Sequence, residues 1–385
     1  MLNNQPSIAQ LFFSFLRLGL TAFGGPAMVA YIREMAVNRR KWLDEQTFKE
    51  GVVLCQSIPG AIAIQTAAYV GLRSRGIPGA FSSFVGFGLP AFVLMLILSS
   101  LYVSYHAVPR IVSLFNGLQV IVVAIVANAT YSFGKSTFKG YKDVLLALAA
   151  AVLLGLGANP FLVIMGAAAA GIVFWRRKGN SPESAVMTVG RHYVKQLSLL
   201  FMVLFAGLLA LYLTDSRLFK LAVLMMRIDL FAFGGGFASV PLMMHEVVDA
   251  RGWLDSRTFM DGIALGQITP GPIVITSTFV GYLTHGIAGA LVSTVAIFVP
   301  SLLMVIAFTP VIDRLKSSLF YQRGTKGILA SFVGLLLFVT LKFAVAVPWD
   351  PIRALMACAA FFALLRKVDI LYVVLVAAVI SVFVL

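Results

Sequence analysis

Charge is scarce in this chain. Of 385 residues only 12% are Asp, Glu, Lys or Arg, about half the roughly 25% of a soluble globular domain. That deficit excludes an ordinary water-soluble fold. Cysteine is scarcer still. Cys55 and Cys358 lie far apart in apolar sequence, which excludes a disulfide framework. The four histidines, His106, His192, His245 and His285, share no metal-ligand spacing, so no metal site is expected. There is no phosphate-binding Gly-rich loop, no Gly-x-Ser-x-Gly elbow and no His-Glu-x-x-His. Catalytic residues and cofactors are therefore not expected. Met1-Leu2-Asn3-Asn4 offers neither a basic start nor a cleavage site, and no removable signal peptide is expected. The alternation of a membrane β-barrel is also missing.

What is abundant is apolar sequence. Hydrophobic residues make up 60% of the chain, and the mean hydropathy is +0.96. Apolar segments fall at about 8–31, 49–72, 78–104, 110–134, 142–157, 159–175, 196–213, 218–244, 259–283, 287–310, 327–347, 351–365 and 369–385. Several reach the roughly 20 residues with which a helix crosses a bilayer. The fold class read from this pattern is an all-α polytopic membrane protein, whose first partner is the lipid bilayer. The net charge of +15 does not indicate nucleic acid. The positive residues stand in short clusters between apolar runs, as the positive-inside bias requires.

The chain repeats itself. Offset by 210 positions, Arg17 meets Arg227, Phe23-Gly24-Gly25 meets Phe233-Gly234-Gly235, and Pro90 meets Pro300. Offset by 211, Trp42-Leu43-Asp44 meets Trp253-Leu254-Asp255, Gln56 meets Gln267, and Pro59-Gly60 meets Pro270-Gly271. The segment at 196–213 has no counterpart. Three parts follow: an N-terminal repeat at 1–180, a basic linker with one connecting helix at 181–216, and a C-terminal repeat at 217–385. Each repeat holds about six apolar segments, and the extra crossing between them inverts the second. Inverted repeats recur in secondary transporters, with the substrate site at their interface near the midplane.

The Lys and Arg distribution puts the N-terminus in the cytoplasm and the C-terminus outside. If all thirteen segments cross, the basic stretch 32–49, with Arg33, Arg39, Arg40, Lys41 and Lys49, falls on the wrong side. If the segments at 8–31, 49–72, 218–244 and 259–283 re-enter as hairpins, that stretch stays cytoplasmic and 245–258 falls outside. The second reading is preferred. It leaves nine full crossings and four hairpins.

Gly24-Gly25-Pro26, Gly234-Gly235-Gly236, Pro59-Gly60 and Pro270-Gly271 interrupt apolar segments. Proline lacks the amide donor, and glycine admits dihedrals other residues avoid. Backbone groups freed at membrane depth are tolerated only inside protein or against a wet cavity. A helix restarting after such a break aims unpaired amides and a positive dipole end at that cavity. Four such ends around one point suit an anion. Glycine and proline also kink helices and let neighbours pack closely, so a single motif decides little and the duplicated set decides more. Gln56 and Gln267 offer amide donors to an oxyanion, or an interhelical hydrogen bond. Thr66, Thr269, Thr276, Ser277 and Thr278 either line the same path or bond back to their own helices. Arg17 and Arg227 carry forks that match tetrahedral oxyanions, or snorkel to the interface. Asp229 is either the partner of Arg227 or a proton-coupling carboxylate. Glu50 and Asp261 are coupling candidates too, or acids that merely open a helix.

The two copies, Phe23-Gly24-Gly25-Pro26 with Gln56 to Gly60 and Phe233-Gly234-Gly235-Gly236 with Gln267 to Pro272, resemble the signature of the chromate ion transporter family. The resemblance covers nearly the whole chain. It implies a bacterial inner-membrane carrier that exports chromate and confers chromate resistance, driven by a proton gradient or the membrane potential. Some members of that family handle sulfate or related anions. The expected substrate is thus a divalent tetrahedral oxyanion, chromate first and sulfate second. A passive anion channel is the alternative from another class, and a homodimer is left open. The first copy reads Pro59-Gly60-Ala61 where the second reads Pro270-Gly271-Pro272.

Overall fold

The computed structural model describes residues 5–23, 25–106, 108–175, 191–312 and 318–384, and every regular element among these is helical. Ser7 opens α1 (Ile8–Thr21) with a capping box to Gln10. The chain breaks at Ala22 and resumes as α2 (Gly25–Arg33). A wide π turn, Glu34–Arg39, leads to Trp42-Leu43-Asp44. Asp44 caps α3 (Glu45–Ser57) by accepting from the Thr47 amide at 2.8 Å. After a break come α4 (Ile62–Tyr105), α5 (Pro109–Thr137), α6 (Tyr141–Gly155), α7 (Pro160–Phe174) and α8 (Arg191–Thr214).

The second half repeats this order. It has α9 (Ser216–Phe231), a short turn of 3-10 helix (Gly236–Ala238), α10 (Ser239–Met244) and another π turn (His245–Asp249). Asp255 caps α11 (Ser256–Ile268) as Asp44 caps α3. A 3-10 turn (Ile273–Ile275) leads into α12 (Thr276–Phe308), then α13 (Leu319–Ala346), α14 (Pro351–Leu365) and α15 (Ile370–Val384).

Neither α4 nor α12 is a single rod. At Arg75-Gly76 the backbone leaves helical dihedrals, with Gly76 at φ 63°, and His285-Gly286 does the same with Gly286 at φ 60°. Only glycine takes that φ without strain. The chain reverses at both points. Ser83 Oγ donates to the Ala67 carbonyl and Ser293 Oγ to the Ser277 carbonyl, each at 2.7 Å. A Cβ on Gly71 would collide with the Gly79 carbonyl, and one on Gly281 with the Gly289 carbonyl. The two arms touch backbone to backbone.

The Pro-Gly breaks are also reversals. Gly51 on α3 packs against the Tyr69 ring, and Gly262 on α11 against the Phe279 ring. So α3 and 62–74 are the arms of one hairpin with Pro59-Gly60 at its tip. Likewise α11 and 276–284 flank Pro270-Gly271. Arg33, ending α2, pairs with Glu45, opening α3, at 2.9 Å. Arg75 Nε donates to the Pro6 carbonyl at 2.6 Å. The start of α1, the end of α2 and the Arg75 turn therefore share one end, and α1–α2 is a hairpin as well. At the far end of the 77–105 arm, Tyr102 meets Phe279 edge-on, ring centroids 5.1 Å apart. That arm is about 40 Å long, so the open ends of the two hairpin pairs lie at opposite ends of it.

Among the described residues five helices are long and apolar enough to span a bilayer: Ile62–Tyr105, Pro109–Thr137, Tyr193–Thr214, Ile273–Val311 and Leu319–Ala346. The protein is a multi-pass membrane protein. The nine crossings expected from the sequence include four short helices. Helices α6, α7, α14 and α15 have 15 residues each, roughly 22 Å against a hydrocarbon core of about 30 Å. The α6–α7 pair folds back on itself, Lys142 Nζ reaching the Phe174 carbonyl at 3.2 Å. The unmatched segment of the sequence is α8, whose most apolar stretch has no residue buried against the rest of the chain.

Candidate functional site

The four breaks meet in two reciprocal pairs. The Gly60 amide donates to the Ala232 carbonyl at 3.0 Å, and the Gly271 amide donates to the Ala22 carbonyl at 3.1 Å. These two bonds are counterparts in the repeat. Each hairpin tip is seated in the helix break of the other half. The tips need glycine for this, because Gly60 and Gly271 stand at φ 113° and 114°. A Cβ at Gly271 would also lie 2.9 Å from Ala91 Cβ.

Beside this double junction is a cavity of ≈ 340 Å³. Gln56, Gly234, Gly235, Gly236, Gln267 and Gly271, all expected from the sequence, line it, and so does Thr269. Three helix starts face it, at Ile62, Gly236 and Ile273. None carries a side-chain cap, so their first amides are left for water or a ligand. Gln267 Nε2 is a buried donor without a partner. Such an orphan costs about 1–3 kcal/mol in a dry site, and an acceptor in the cavity would remove that cost. The donors are amides throughout. Among the described residues no Lys or Arg lines this cavity.

The arginines are therefore a correction. Arg17 is exposed on α1, whose buried residues are Leu11, Phe15 and Gly19. One full turn spans 3.6 residues, which places Arg17 on the face opposite that stripe. Arg227 is paired with Glu246 and lies 4.1 Å over the Phe161 ring. Arg251 holds the other oxygen of the same carboxylate. Asp229 is consequently not the partner of Arg227. It is fully buried and accepts from Ser301 Oγ at 2.8 and 3.0 Å.

Glu50 and Asp261, paired by the repeat, have different surroundings. Glu50 is exposed and bonds Gln46. Asp261 is buried and accepts from Gln119 Nε2 at 2.8 Å and from the Tyr102 hydroxyl at 2.9 Å. Neither is among the residues lining the cavity. Pro59 and Pro270 set the tips rather than the lining. Gly25 and Pro26 open α2, while Gly24 lies outside the described residues. Thr66 and Thr276 bond back to carbonyls of their own chain segment, and Thr278 bonds Thr294. Ser277 Oγ is buried without a partner.

Sequence reasoning missed a neighbouring cavity. A second cavity of ≈ 560 Å³ shares Gln56, Ile62, Phe133 and Gly234 with the first and adds Lys139 and Lys326. Lys326 Nζ lies 3.6 Å from Asp143 and 4.4 Å over the Trp175 ring. Both lysines belong to the clusters between apolar runs, where only their sum was legible. Gln65 and Ser301 were missed as well. A polar side chain inside an apolar run was the available signal.

The family model described as chromate transporter matches residues 9–172 and 219–382. An uncharacterized transporter of Methanocaldococcus jannaschii is 45% identical over 99% of this chain and 96% of its own. A probable chromate transport protein of Synechococcus elongatus is 32% identical over 79% of this chain and 76% of its own. The chromate transport protein of Cupriavidus metallidurans is 30% identical over 85% and 80%. No solved structure matches. Two matched stretches, one on each half, converge on one amide-lined cavity, and the chain belongs to the chromate transporter family.

Proposed function

We propose that this protein is a secondary transporter that exports a divalent tetrahedral oxyanion, chromate first and sulfate second, across the cytoplasmic membrane. The unpartnered Gln267 Nε2, set among three uncapped helix starts, carries this reading. A cavity that presents donors and leaves one of them unsatisfied asks for an acceptor, and an oxyanion supplies four. Relatives named chromate transport proteins supply the choice of ion. Arg17 and Arg227 drop out of the binding set.

The halves are read as inverted, with the N-terminus cytoplasmic and the C-terminus periplasmic. Lys139 and Lys326 then line a vestibule on the cytoplasmic side and draw anions toward Gln56 and Gln267. Export also suits the membrane potential. Moving one charge through 100 mV is worth about 2.3 kcal/mol, so an outgoing dianion gains roughly twice that. Asp229 is the coupling carboxylate if a proton gradient contributes.

Chromate and sulfate uptake into inside-out vesicles tests the reading. Gln267→Leu is expected to cut uptake of the transported anion at least tenfold, and Arg17→Ala to leave it within about twofold. Equal uptake in Gln267→Leu and wild type would remove the cavity from the path. With the membrane potential clamped, accumulation that never exceeds the external concentration under an imposed proton gradient, and uptake that does not saturate with chromate, would make the protein a channel instead.

A further inference from the structure

Behind the first hairpin tip lies a polar cluster that the anion path does not use. Asp229, Ser301 and Gln65 are each 0% exposed. They converge on the space that a side chain at residue 60 would fill. A Cβ on Gly60 would clash with Ser301 Oγ, lie 2.6 Å from Gln65 Nε2 and lie 3.2 Å from Asp229 Oδ1. Gln65 Nε2 donates to the Pro59 carbonyl at 2.5 Å and lies 3.3 Å from Ser301 Oγ. Ser301 in turn donates to Asp229. Gln65 Oε1 is buried and has no partner.

The equivalent place at the second tip is apolar. By the repeat, Gly19 stands for Asp229, Ala91 for Ser301 and Thr276 for Gln65. Ala91 approaches Gly271 there as Ser301 approaches Gly60. Thr276 bonds back to the Ile273 carbonyl. The duplication has thus kept both tips and placed a carboxylate behind one of them.

We infer that Asp229, Ser301 and Gln65 form one proton site per molecule, and that its occupancy latches or releases the Pro59-Gly60 tip. The inference rests on the transport reading above. The groups are 2.5–3.3 Å apart, the spacing of a hydrogen-bonded relay. With Asp229 ionised, the chain of donors runs from Gln65 to the Pro59 carbonyl and from Ser301 to Asp229. A proton arriving from water on one Asp229 oxygen turns the carboxyl into a donor to Ser301 Oγ. The Ser301 hydroxyl then needs an acceptor, and the idle one is Gln65 Oε1. Rotating the Gln65 amide to accept it withdraws Nε2 from the Pro59 carbonyl. The tip loses one of its holds, while the other, Gly60 to Ala232, belongs to the same turn as Asp229, since the Ala232 amide donates to the Asp229 carbonyl at 3.1 Å.

The surroundings leave Asp229 without an ionic partner. Ser301 comes from α12 and Gln65 from α4. Arg227, two residues away on α9, is held by Glu246 from the π turn after α10. Among the described residues no ion pair reaches Asp229.

Two measurements on the purified full chain in lipid test this. The first is an infrared pH titration of the protonated-carboxyl band, which needs no transport. One band is expected to be absent in Asp229→Asn and displaced in Ser301→Ala. Spectra that coincide in wild type and Asp229→Asn at every pH would overturn the proton site. The second compares uptake driven by a proton gradient with chromate–chromate exchange in the same proteoliposomes. The ratio of the two is expected to fall at least tenfold in Asp229→Asn and severalfold in Gln65→Leu. A ratio unchanged in both variants, or one that follows a sodium gradient instead, would overturn the latch. Loss of exchange in wild type would sink the transport reading while leaving the infrared result to stand.

Discussion

Asp44 and Asp255 show what the duplicated Trp-Leu-Asp motif is for. Each carboxylate accepts from the first-turn amides of the helix that enters a hairpin. The tryptophan amide closes the preceding π turn, Trp42 onto Ala36 and Trp253 onto Val247, each at 2.8 Å. The motif is architecture, and it is repeated because the hairpin is. Asp44→Ala and Asp255→Ala are each expected to cost about 1 kcal/mol, additively because they lie in different halves, read by thermal unfolding in detergent. The Thr47 amide holds the Asp44 carboxyl below the usual carboxylate range. A group depressed in the folded state stabilises above its unfolded value and loses that stabilisation as pH falls through the folded one. The Asp44→Ala difference should therefore be full at pH 7 and shrink below about pH 4. Glu246 makes the opposite kind of case. It is 2% exposed between two arginines, and Glu246→Gln leaves both guanidinium groups without a counterion. Their partial exposure moderates the loss to about 1–3 kcal/mol. Arg227→Ala should lower the melting temperature and leave the chromate Kd unchanged. A weakened Kd would return that arginine to the binding site.

At the scale of elements, the fold is a set of hairpins whose glycines do two different jobs. Gly286 supplies a dihedral, φ 60°, in open space. Gly286→Ala is expected to cost roughly 1–2 kcal/mol of strain and to leave the protein folded. Gly281 supplies room, with the Gly289 carbonyl where its Cβ would be. A backbone atom cannot move aside as a side chain can, so Gly281→Val should abolish a monodisperse peak in size-exclusion chromatography. The sequence made these reversals legible because Gly and Pro act locally, through φ and the missing amide. The rotation of each helix about its axis was harder. Arg17 looked central because its neighbours are apolar, yet Leu11, Phe15 and Gly19 already marked the buried stripe at a spacing of four. The cluster of Gln65, Ser301 and Asp229 was not legible as a cluster, since its members come from three helices and only the closed fold brings them together.

At the scale of the whole molecule, the reciprocal tip bonds settle which sequence expectations belong together. The duplication, the four breaks and the paired glutamines were all visible in the chain, and they coincide around one cavity. The number of crossings was not visible, because a 15-residue apolar helix reads the same whether it spans or turns back. On the inverted reading proposed above, Arg39 and Arg251 lie on opposite faces of the membrane. Both sit at the open ends of repeat-related hairpins, and on that reading α8 carries the chain from one face to the other. Native Cys55 is buried and Cys358 exposed, so Cys358→Ser gives a quiet background. In intact cells, Arg251→Cys is expected to react with an impermeant maleimide, and Arg39→Cys only after the membrane is opened. Had the first two segments of each half crossed fully, Arg39→Cys would label from outside and the tips could not approach one another from opposite faces. The two outcomes exclude each other, because on the proposed reading the reversal that keeps Arg39 inside is the one that brings Gly60 to Ala232.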